Sequence, residues 1–378
     1  IENISVDTIQ GVLKYKRPGQ DSNVTWAPPS ALRRIGLILI DEASQYADLE
    51  WERLFQCIQE QPHKPFTAVV ADFKQLQPLV SGGLCQKTCA CMATVVLDTV
   101  YRSGDPEHLL FCNRIRDGQP TRGLLEGYFD DRHFKSSLTS AVAAGMALAE
   151  KYLKPFTWLC CTNNGASQVC GAALECLGIS ADELQHGYLS DPSGKSDLRI
   201  LAKPGILLRL TRNLDKCRGF VNGALAEVCE SLDGNAGFIA RLIGSGNLVL
   251  VHPMYEDGQL LLPCVYGYAT TIRRAQGASL DQGCIYFDQP MVAARGCGYV
   301  AVSRFRSRNG VYLYGRLRRT DFLPVGEESP DEVLERGYDS ASTDEENGGL
   351  EYANCESESE PELVCDAERM LQINGDFA

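Results

Sequence analysis

The stretch Leu37-Ile38-Leu39-Ile40-Asp41-Glu42-Ala43-Ser44-Gln45 decides how this chain is read. Its first four residues are a strand-sized apolar run and predict a strand buried on both faces, as parallel strands are. Two carboxylates follow at the carboxyl end, the edge where open α/β sheets bind ligands. Such a pair can hold hydrated Mg²⁺ with Asp41 and orient or deprotonate a water with Glu42. An acidic helix cap is the plain alternative. Further on, Thr67-Ala68-Val69-Val70-Ala71 predicts a second strand, and the apolar spacing of Leu49, Leu54, Phe55 and Ile58 predicts a helix between them. Strand, helix and strand make a right-handed βαβ unit in a parallel sheet. The second strand runs into Asp72-Phe73-Lys74-Gln75, where a neutral glutamine can sense a terminal phosphate without adding charge.

Beyond this core the pattern changes twice. Residues 97–200 are helix-rich, with helices expected at 106–116, 137–152 and 166–177 and a strand at 156–160. From 206 to about 262 short β runs at 205–210, 224–229, 237–242 and 248–252 are separated by Asp233-Gly234, Gly244-Ser245-Gly246 and Asp257-Gly258. Turn dipeptides at such spacing predict a small β-barrel inserted in the α/β domain. Strands at 283–287 and 310–314 then return to α/β. The organisation expected is a truncated first lobe (1–96), a second lobe in two parts (97–204 and 263–320), the inserted barrel (205–262) and a tail (327–378).

The 378 residues are 44% hydrophobic and 22% charged, which fits a globular chain and excludes collagen-like and wholly disordered classes. The net charge of −13 is uneven: residues 327–378 hold 17 acidic residues against Arg336 and Arg369, while residues 1–326 hold 32 acidic and 34 basic. The body is thus near neutral at +2. The acidic, serine-rich tail, at −15, cannot bury enough apolar surface to order itself. No apolar run approaches the roughly 18 residues of a membrane span, so no membrane association is expected. Sixteen cysteines sit singly in apolar stretches and read as reduced thiols of an intracellular protein. The tightest group, Cys85, Cys89 and Cys91, lacks a partner pair for zinc. The five histidines show no ligand spacing.

Arginines supply the remaining signals. Arg102 closes the run 95–100. Tyr299-Val300-Ala301-Val302 reads as a strand leading to Arg304, with Arg306 and Arg308 beyond. A planar guanidinium suits developing phosphoryl charge, whereas a surface ion pair is the ordinary role of any one arginine. Between them, Thr271-Ile272-Arg273-Arg274-Ala275-Gln276-Gly277-Ala278-Ser279 is a small-residue turn suited to phosphate contacts.

In this order the segments resemble the motifs of superfamily 1 helicases, in the branch containing RecD and the petite-integration-frequency helicases. The segment from Val6 to Leu13 resembles motif Ia, with Gln10 where His is usual; Asp41 and Glu42 match motif II; Asp72 and Gln75 match motif III; Arg102 matches the motif IV arginine. Cys161-Thr162-Asn163 resembles the Thr-Asn segment before a helix, and Asn213 to Gly223 the entry to the inserted barrel. The stretch from Thr271 to Asp281 resembles motif V, with Arg273, Arg274 and Ser279 for His, Lys and Thr; Tyr299 to Arg304 matches motif VI.

The resemblance implies two RecA-like parallel-sheet lobes with ATP and Mg²⁺ between them. Asp41 would bind the metal through water, with Asp41, Gln75, Gln276, Gly277 and Arg304 at the nucleotide and Glu42 and Arg102 also in catalysis. Thr8, Asn163, Asn222, Thr271, Arg273, Arg274 and Ser279 would touch single-stranded DNA, with 5′-to-3′ movement. It leaves open a viral-type RNA helicase, a RecD-like subunit needing a partner chain, or an ATPase-dead binding module. A eukaryotic source would imply the nucleus or the mitochondrion; protein partners are not implied.

The phosphate loop G-x-x-x-x-G-K-[ST] that should precede motif Ia is missing. Gly194-Lys195-Ser196 is not one, because Leu189 stands where its first glycine would be. The chain opens on Ile1, and a fragment whose phosphate loop lies upstream is expected. Replacing Arg308 by alanine is expected to do little to DNA-stimulated ATPase turnover.

The tail's charge yields a test. Deleting residues 327–378 should leave single-strand affinity at low salt unchanged if the tail only solubilises. A marked, salt-sensitive gain measured by fluorescence anisotropy would mean that it competes for the strand site.

Overall fold

The computed structural model describes residues 8–13, 35–61, 63–78, 83–190, 199–232, 236–256, 259–290 and 293–326. The acidic tail, Gly194-Lys195-Ser196, the turns at 233–234 and 257–258, and the start of the motif Ia segment lie outside these residues. The chain divides into two compact units: the first takes in Ile1–Phe73, Gln77–Leu97 and Val325–Ala378, and the second Lys74–Leu76 and Asp98–Pro324.

The first unit contains α1 (Ile9–Leu13), β1 (Leu37–Ile40), α2 (Asp48–Gln59), β2 (Phe66–Val69) and α3 (Leu84–Ala90). β1 and β2 pair in parallel, Leu37 opposite Phe66 and Ile40 opposite Val69, around the expected crossover helix. Trp51 on α2 is fully buried with Leu13, Ile40, Leu54, Cys57 and Cys85, and its indole N–H donates to Thr88 Oγ1 at 3.2 Å. β1 departs from expectation. Leu37 is 53% and Leu39 72% exposed, so only one face is covered. A two-stranded ribbon cannot bury both faces of its strands. Cys85 is buried and hydrogen-bonded to the Cys89 thiol, whereas Cys91 is exposed.

The second unit opens with α4 (Pro106–Asp117), α5 (Arg122–Phe129), β3 (His133–Phe134), α6 (Leu138–Tyr152), β4 (Phe156–Cys160), α7 (Asn163–Cys176), α8 (Ala181–Gln185) and β5 (Leu189–Ser190). The β-rich part follows with β6 (Leu207–Leu210), β7 (Leu225–Ser231), β8 (Phe238–Leu242), β9 (Leu248–Val251), β10 (Met254–Glu256), β11 (Gln259–Leu262) and β12 (Cys264–Tyr266). It closes with β13 (Ala269–Thr271), β14 (Gln282–Tyr286), α9 (Cys297–Ser303) and β15 (Val311–Tyr314).

Five strands form a wholly parallel sheet in the order β13-β4-β14-β15-β3. β4 lies inside it and every residue is buried, which explains its unbroken apolar character. Helix starts follow side-chain caps. Asp105 accepts from the Glu107 and His108 N–H groups before Pro106, Ser137 from Ser140 N–H, and Thr162 from Gly165 N–H. The inserted β unit is an antiparallel sheet, β12-β6-β7-β8-β9, beside a three-stranded one, β10-β11-β5. Its strands alternate buried and exposed positions, and β12 joins from beyond residue 262. Among the described residues no ladder pairs β9 with β12, so the unit is an open sheet here rather than the closed barrel expected.

The run 299–302 is helical, not a strand. Gly296, at φ 79°, starts α9, and Val300, Ala301 and Val302 are all buried. A short apolar run buried all round has no periodicity to tell helix from strand. A Cβ on Gly298 would meet the Phe322 ring at 2.6 Å, so α9 packs backbone-close against the turn Arg319–Phe322. No helix among the described residues is long and apolar enough to cross a membrane.

Arg308 is a structural cross-link in this fold, a role its place beyond Arg304 did not announce. Its backbone N–H donates to Asp105 Oδ2 at 2.8 Å; its guanidinium donates to the Tyr128 carbonyl (3.2 Å), the Gly127 carbonyl (2.6 Å) and Glu107 Oε2 (2.9 Å). Arg308→Ala should therefore cost about 2–3 kcal/mol of unfolding free energy. Asp105 gives the pH test. Burial raises its carboxyl, but N–H donors from Arg308, His108 and Glu107 outweigh this and hold it below the usual range. A depressed folded value stabilises above the unfolded value of about 3.9 and loses that contribution as pH falls through the folded one. The melting difference between wild type and Asp105→Asn should be full at neutral pH and close in acid; a pH-independent difference would refute the assignment.

Candidate nucleotide and nucleic-acid site

Asp41 and Glu42 leave the carboxyl end of β1 in the predicted place. Asp41 is exposed, and its Oδ1 accepts the Glu42 N–H at 2.9 Å. Glu42 has φ 51° and ψ 37°, a left-handed conformation uncommon for a non-glycine residue and concentrated at functional sites. Ala43 N–H donates to the Val70 carbonyl at 3.0 Å, which pins this turn to the end of β2. Gln45 Nε2 reaches Glu42 Oε2 at 3.3 Å. An exposed carboxylate with an oxygen left for a hard cation suits a water-mediated Mg²⁺ contact. No phosphate-loop lysine or hydroxyl precedes it in the sequence.

The second unit assembles the other candidates. Arg102 donates through Nε to Ser279 Oγ at 3.1 Å and through Nη1 to the Ser303 carbonyl at 3.0 Å. Arg304 is only 2% exposed; its Nε donates to the Val300 carbonyl at 3.1 Å and its Nη2 to Ser303 Oγ at 3.0 Å. Two guanidiniums from opposite ends of the unit thus converge on Ser303, and Arg304 is not a surface ion pair. Both cations reach Cys112, yet burial still pushes its thiol up to about 12. Gln75, in the segment counted with this unit, accepts from Gln276 Nε2 at 3.5 Å, the limit of hydrogen-bond reach. Gly277 has φ +79°, which lets the turn double back.

The strand-contact candidates do not form one group. Asn163, Thr271 and Arg274 line one recess with Ser167, Arg209 and Thr270. Arg273 is half-buried and interacts with Cys297. Ser279 is engaged by Arg102. Thr8 caps α1 by accepting the Gly11 N–H at 3.1 Å, and Asn222 is exposed beside Asn213.

Sequence reasoning missed Ser303, Arg209 and Asp288. Only Arg209 carried a signal, as a lone charge inside the run 205–210. Asp288 holds the start of α7: Oδ1 accepts the Cys161 N–H at 2.6 Å and the Thr162 N–H at 3.2 Å, and Oδ2 the Thr162 hydroxyl. A Cβ on Gly165 would lie 2.3 Å from that carboxylate, so only glycine admits it.

Residues 2–134 match the AAA domain family. Over 351 residues the chain is 25% identical to the human ATP-dependent DNA helicase PIF1, covering 82% of this chain and 52% of that protein. The Danio rerio ATP-dependent DNA helicase PIF1 is 33% identical over 142 residues, covering 35% of this chain and 21% of that protein. The chain spans about half the length of the curated relatives that it matches over most of its own. Among solved structures, Bacteroides Pif1 in complex with ADP-AlF3 and ssDNA superposes with a TM-score of 0.60 at 17% identity, covering 88% of this chain and 83% of that one. Candida albicans Pif1 gives 0.58 at 17% identity, covering 81% and 77%. The fold is RecA-like α/β, and the likeness is to PIF1-type superfamily 1 helicases.

The Asp288–Gly165 contact is testable. Gly165→Ala should destabilise by about 1–3 kcal/mol through the clash. In an Asp288→Ala background the same change should cost far less, because the clashing carboxylate is gone. Additive losses in thermal melts would show that the two positions do not couple.

Proposed function

We propose that this chain carries motor parts of an ATP-dependent DNA helicase that moves 5′ to 3′ on single-stranded DNA. The observation that carries the proposal is the convergence of Arg102 and Arg304 on Ser303. Two guanidiniums held there, one of them nearly inaccessible to water, are placed to stabilise negative charge far better than exposed ones.

Glu42 orients the attacking water, and its left-handed turn fixes the carboxylate at the strand edge. Asp41 would hold Mg²⁺ through water, and the ion would neutralise charge on the terminal phosphates. Gln75, Gln276 and Gly277 contact nucleotide; Arg304 stabilises the transferred phosphoryl group, and Arg102 fixes the Ser279 and Ser303 turns around it. Thr8, Asn163, Asn222, Thr271, Arg273, Arg274 and Ser279 contact the strand, mainly through phosphates and so with little sequence preference. The relatives' names support DNA over RNA; a motor acting on DNA is read as intracellular, in the nucleus or the mitochondrion of a eukaryote.

Residues 1–378 alone, with no phosphate loop before Asp41, should show no ATPase activity. Joined to a phosphate-loop segment, the chain should gain DNA-stimulated turnover. Arg304→Ala should then reduce turnover on the order of 10³-fold, with single-strand binding nearly intact as the control for folding. Near-normal turnover in that variant would remove Arg304 from catalysis. Preferential unwinding of RNA forks would favour the RNA helicase alternative, and no turnover in the joined protein would favour the ATPase-dead module.

A further inference from the structure

The recess lined by Asn163, Ser167, Arg209, Thr270, Thr271 and Arg274 opens to solvent, and among the described residues no carboxylate lines it. Arg209 enters it from β6. Its Nη1 donates to the Gly223 carbonyl at 3.0 Å, which anchors the guanidinium to the loop before β7. Its Nε and Nη2 have no surface open to water and no hydrogen-bond partner among the described residues. The same two nitrogens of Arg318 clasp Asp321 side-on, Nε to Oδ2 at 2.8 Å and Nη2 to Oδ1 at 2.9 Å. The unused edge of Arg209 is therefore the bidentate edge that matches a carboxylate or phosphate.

A buried guanidinium edge left without an acceptor costs free energy. Among the described residues no carboxylate pairs with Arg209. Burial, and then Arg274 beside it, pull it down to about 10, while the Cys170 thiol is pushed up by burial to about 12 and is no counter-anion. Asn163 is the first residue of the fourteen-residue α7, whose amino-terminal partial positive charge adds to the same recess. Thr270 and Thr271 supply hydroxyls at its wall, and Thr271 Oγ1 accepts the Arg274 N–H at 3.3 Å.

We propose that this recess is a phosphate site in which Arg209 clasps one phosphate group side-on, with Arg274 as the second cation. The occupant is a backbone phosphodiester of the bound single strand; this choice of source, but not the phosphate chemistry, rests on the helicase reading. Arg209 thereby links the inserted β sheet to strand binding, a role outside the motif set from which the other contacts were read.

The experiment uses the full chain and Arg209→Met, which keeps the stem's bulk and removes the charge. A labelled oligothymidylate is titrated from low to moderate salt. The expected result is roughly tenfold weaker binding at low salt and a log K against log salt slope flatter by about 0.7, one phosphate's share on a single strand. In parallel, inorganic phosphate at constant ionic strength should raise the melting temperature of wild type but not of Arg209→Met. A phosphate response with unchanged strand affinity and slope would overturn the phosphodiester assignment and leave a free-phosphate site. Loss of neither response in the variant would overturn the recess altogether. If wild type bound no strand, the helicase reading would fail, while the phosphate melts would still decide the recess. Should Arg209→Met not fold, Arg209→Lys keeps a charge without the clasp and should give the same loss in part.

Discussion

Two backbone hydrogen bonds hold the functional half of the second unit together. Leu280 N–H donates to the Arg304 carbonyl at 2.8 Å, and Arg306 N–H donates to the Leu280 carbonyl at 3.0 Å. They clamp the turn 271–280 against the end of α9. Everything placed at Ser303 follows from that clamp. Ser279 comes within reach of Arg102, and Arg304 lies under the turn with its side chain folded back on Val300. Small residues permit it, because Gly277 bends the turn and Gly298 lets α9 pack tightly. Backbone bonds suit the task, since they fix a register that side-chain pairs would leave loose.

A second clamp works at the start of α7. Asp288, just past β14, gathers the Cys161 and Thr162 N–H groups and so satisfies donors that a helix start leaves open. Thr162 in turn caps Gly165. The result fixes Asn163 at the mouth of the recess that Arg209 enters from the β sheet. This second clamp lies at the carboxyl ends of neighbouring parallel strands, β4 and β14, where open α/β sheets bind ligands, whereas the first, at Leu280, lies just before the amino end of β14. The fold thus brings Asn163, just past β4, and Thr271, at the end of β13, to one sheet edge through chain topology, without needing neighbouring positions in sequence.

Much of this was legible from the amino acids. The run Leu37–Ile40 with its two carboxylates marked β1 and its edge, and the spacing from Leu49 gave α2. The turn dipeptides located four strands of the inserted sheet to within a few residues. The failures have physical causes. The run 299–302 is buried all round, so its pattern could not separate helix from strand. The exposure of Leu37 and Leu39 depends on what covers β1, which a local window does not contain. Arg308 looked like one more basic residue because its partners, at Asp105, Glu107, Gly127 and Tyr128, are distant in sequence. Ser303 and Asp288 carry no local signal, since their roles arise only where separate strands end side by side.

Three half-buried arginines show how such roles can be told apart. Arg308 and Arg318 spend their donors on carbonyls and carboxylates of their own unit: Arg318 on Asp321, Gln289 and Pro290, Arg308 on Gly127, Tyr128 and Glu107. Such a guanidinium is a structural cross-link, and its desolvation is offset inside the fold. Arg209 is likewise half-buried but anchored through one nitrogen, with its bidentate edge unspent. Arg209 shares its face of β6 with the half-buried Leu207, and a charge that only held the strand in place there would be better replaced by an apolar residue. A cation kept at such a cost, with a second cation and a helix start facing the same recess, is suited to an anion that the described residues do not provide.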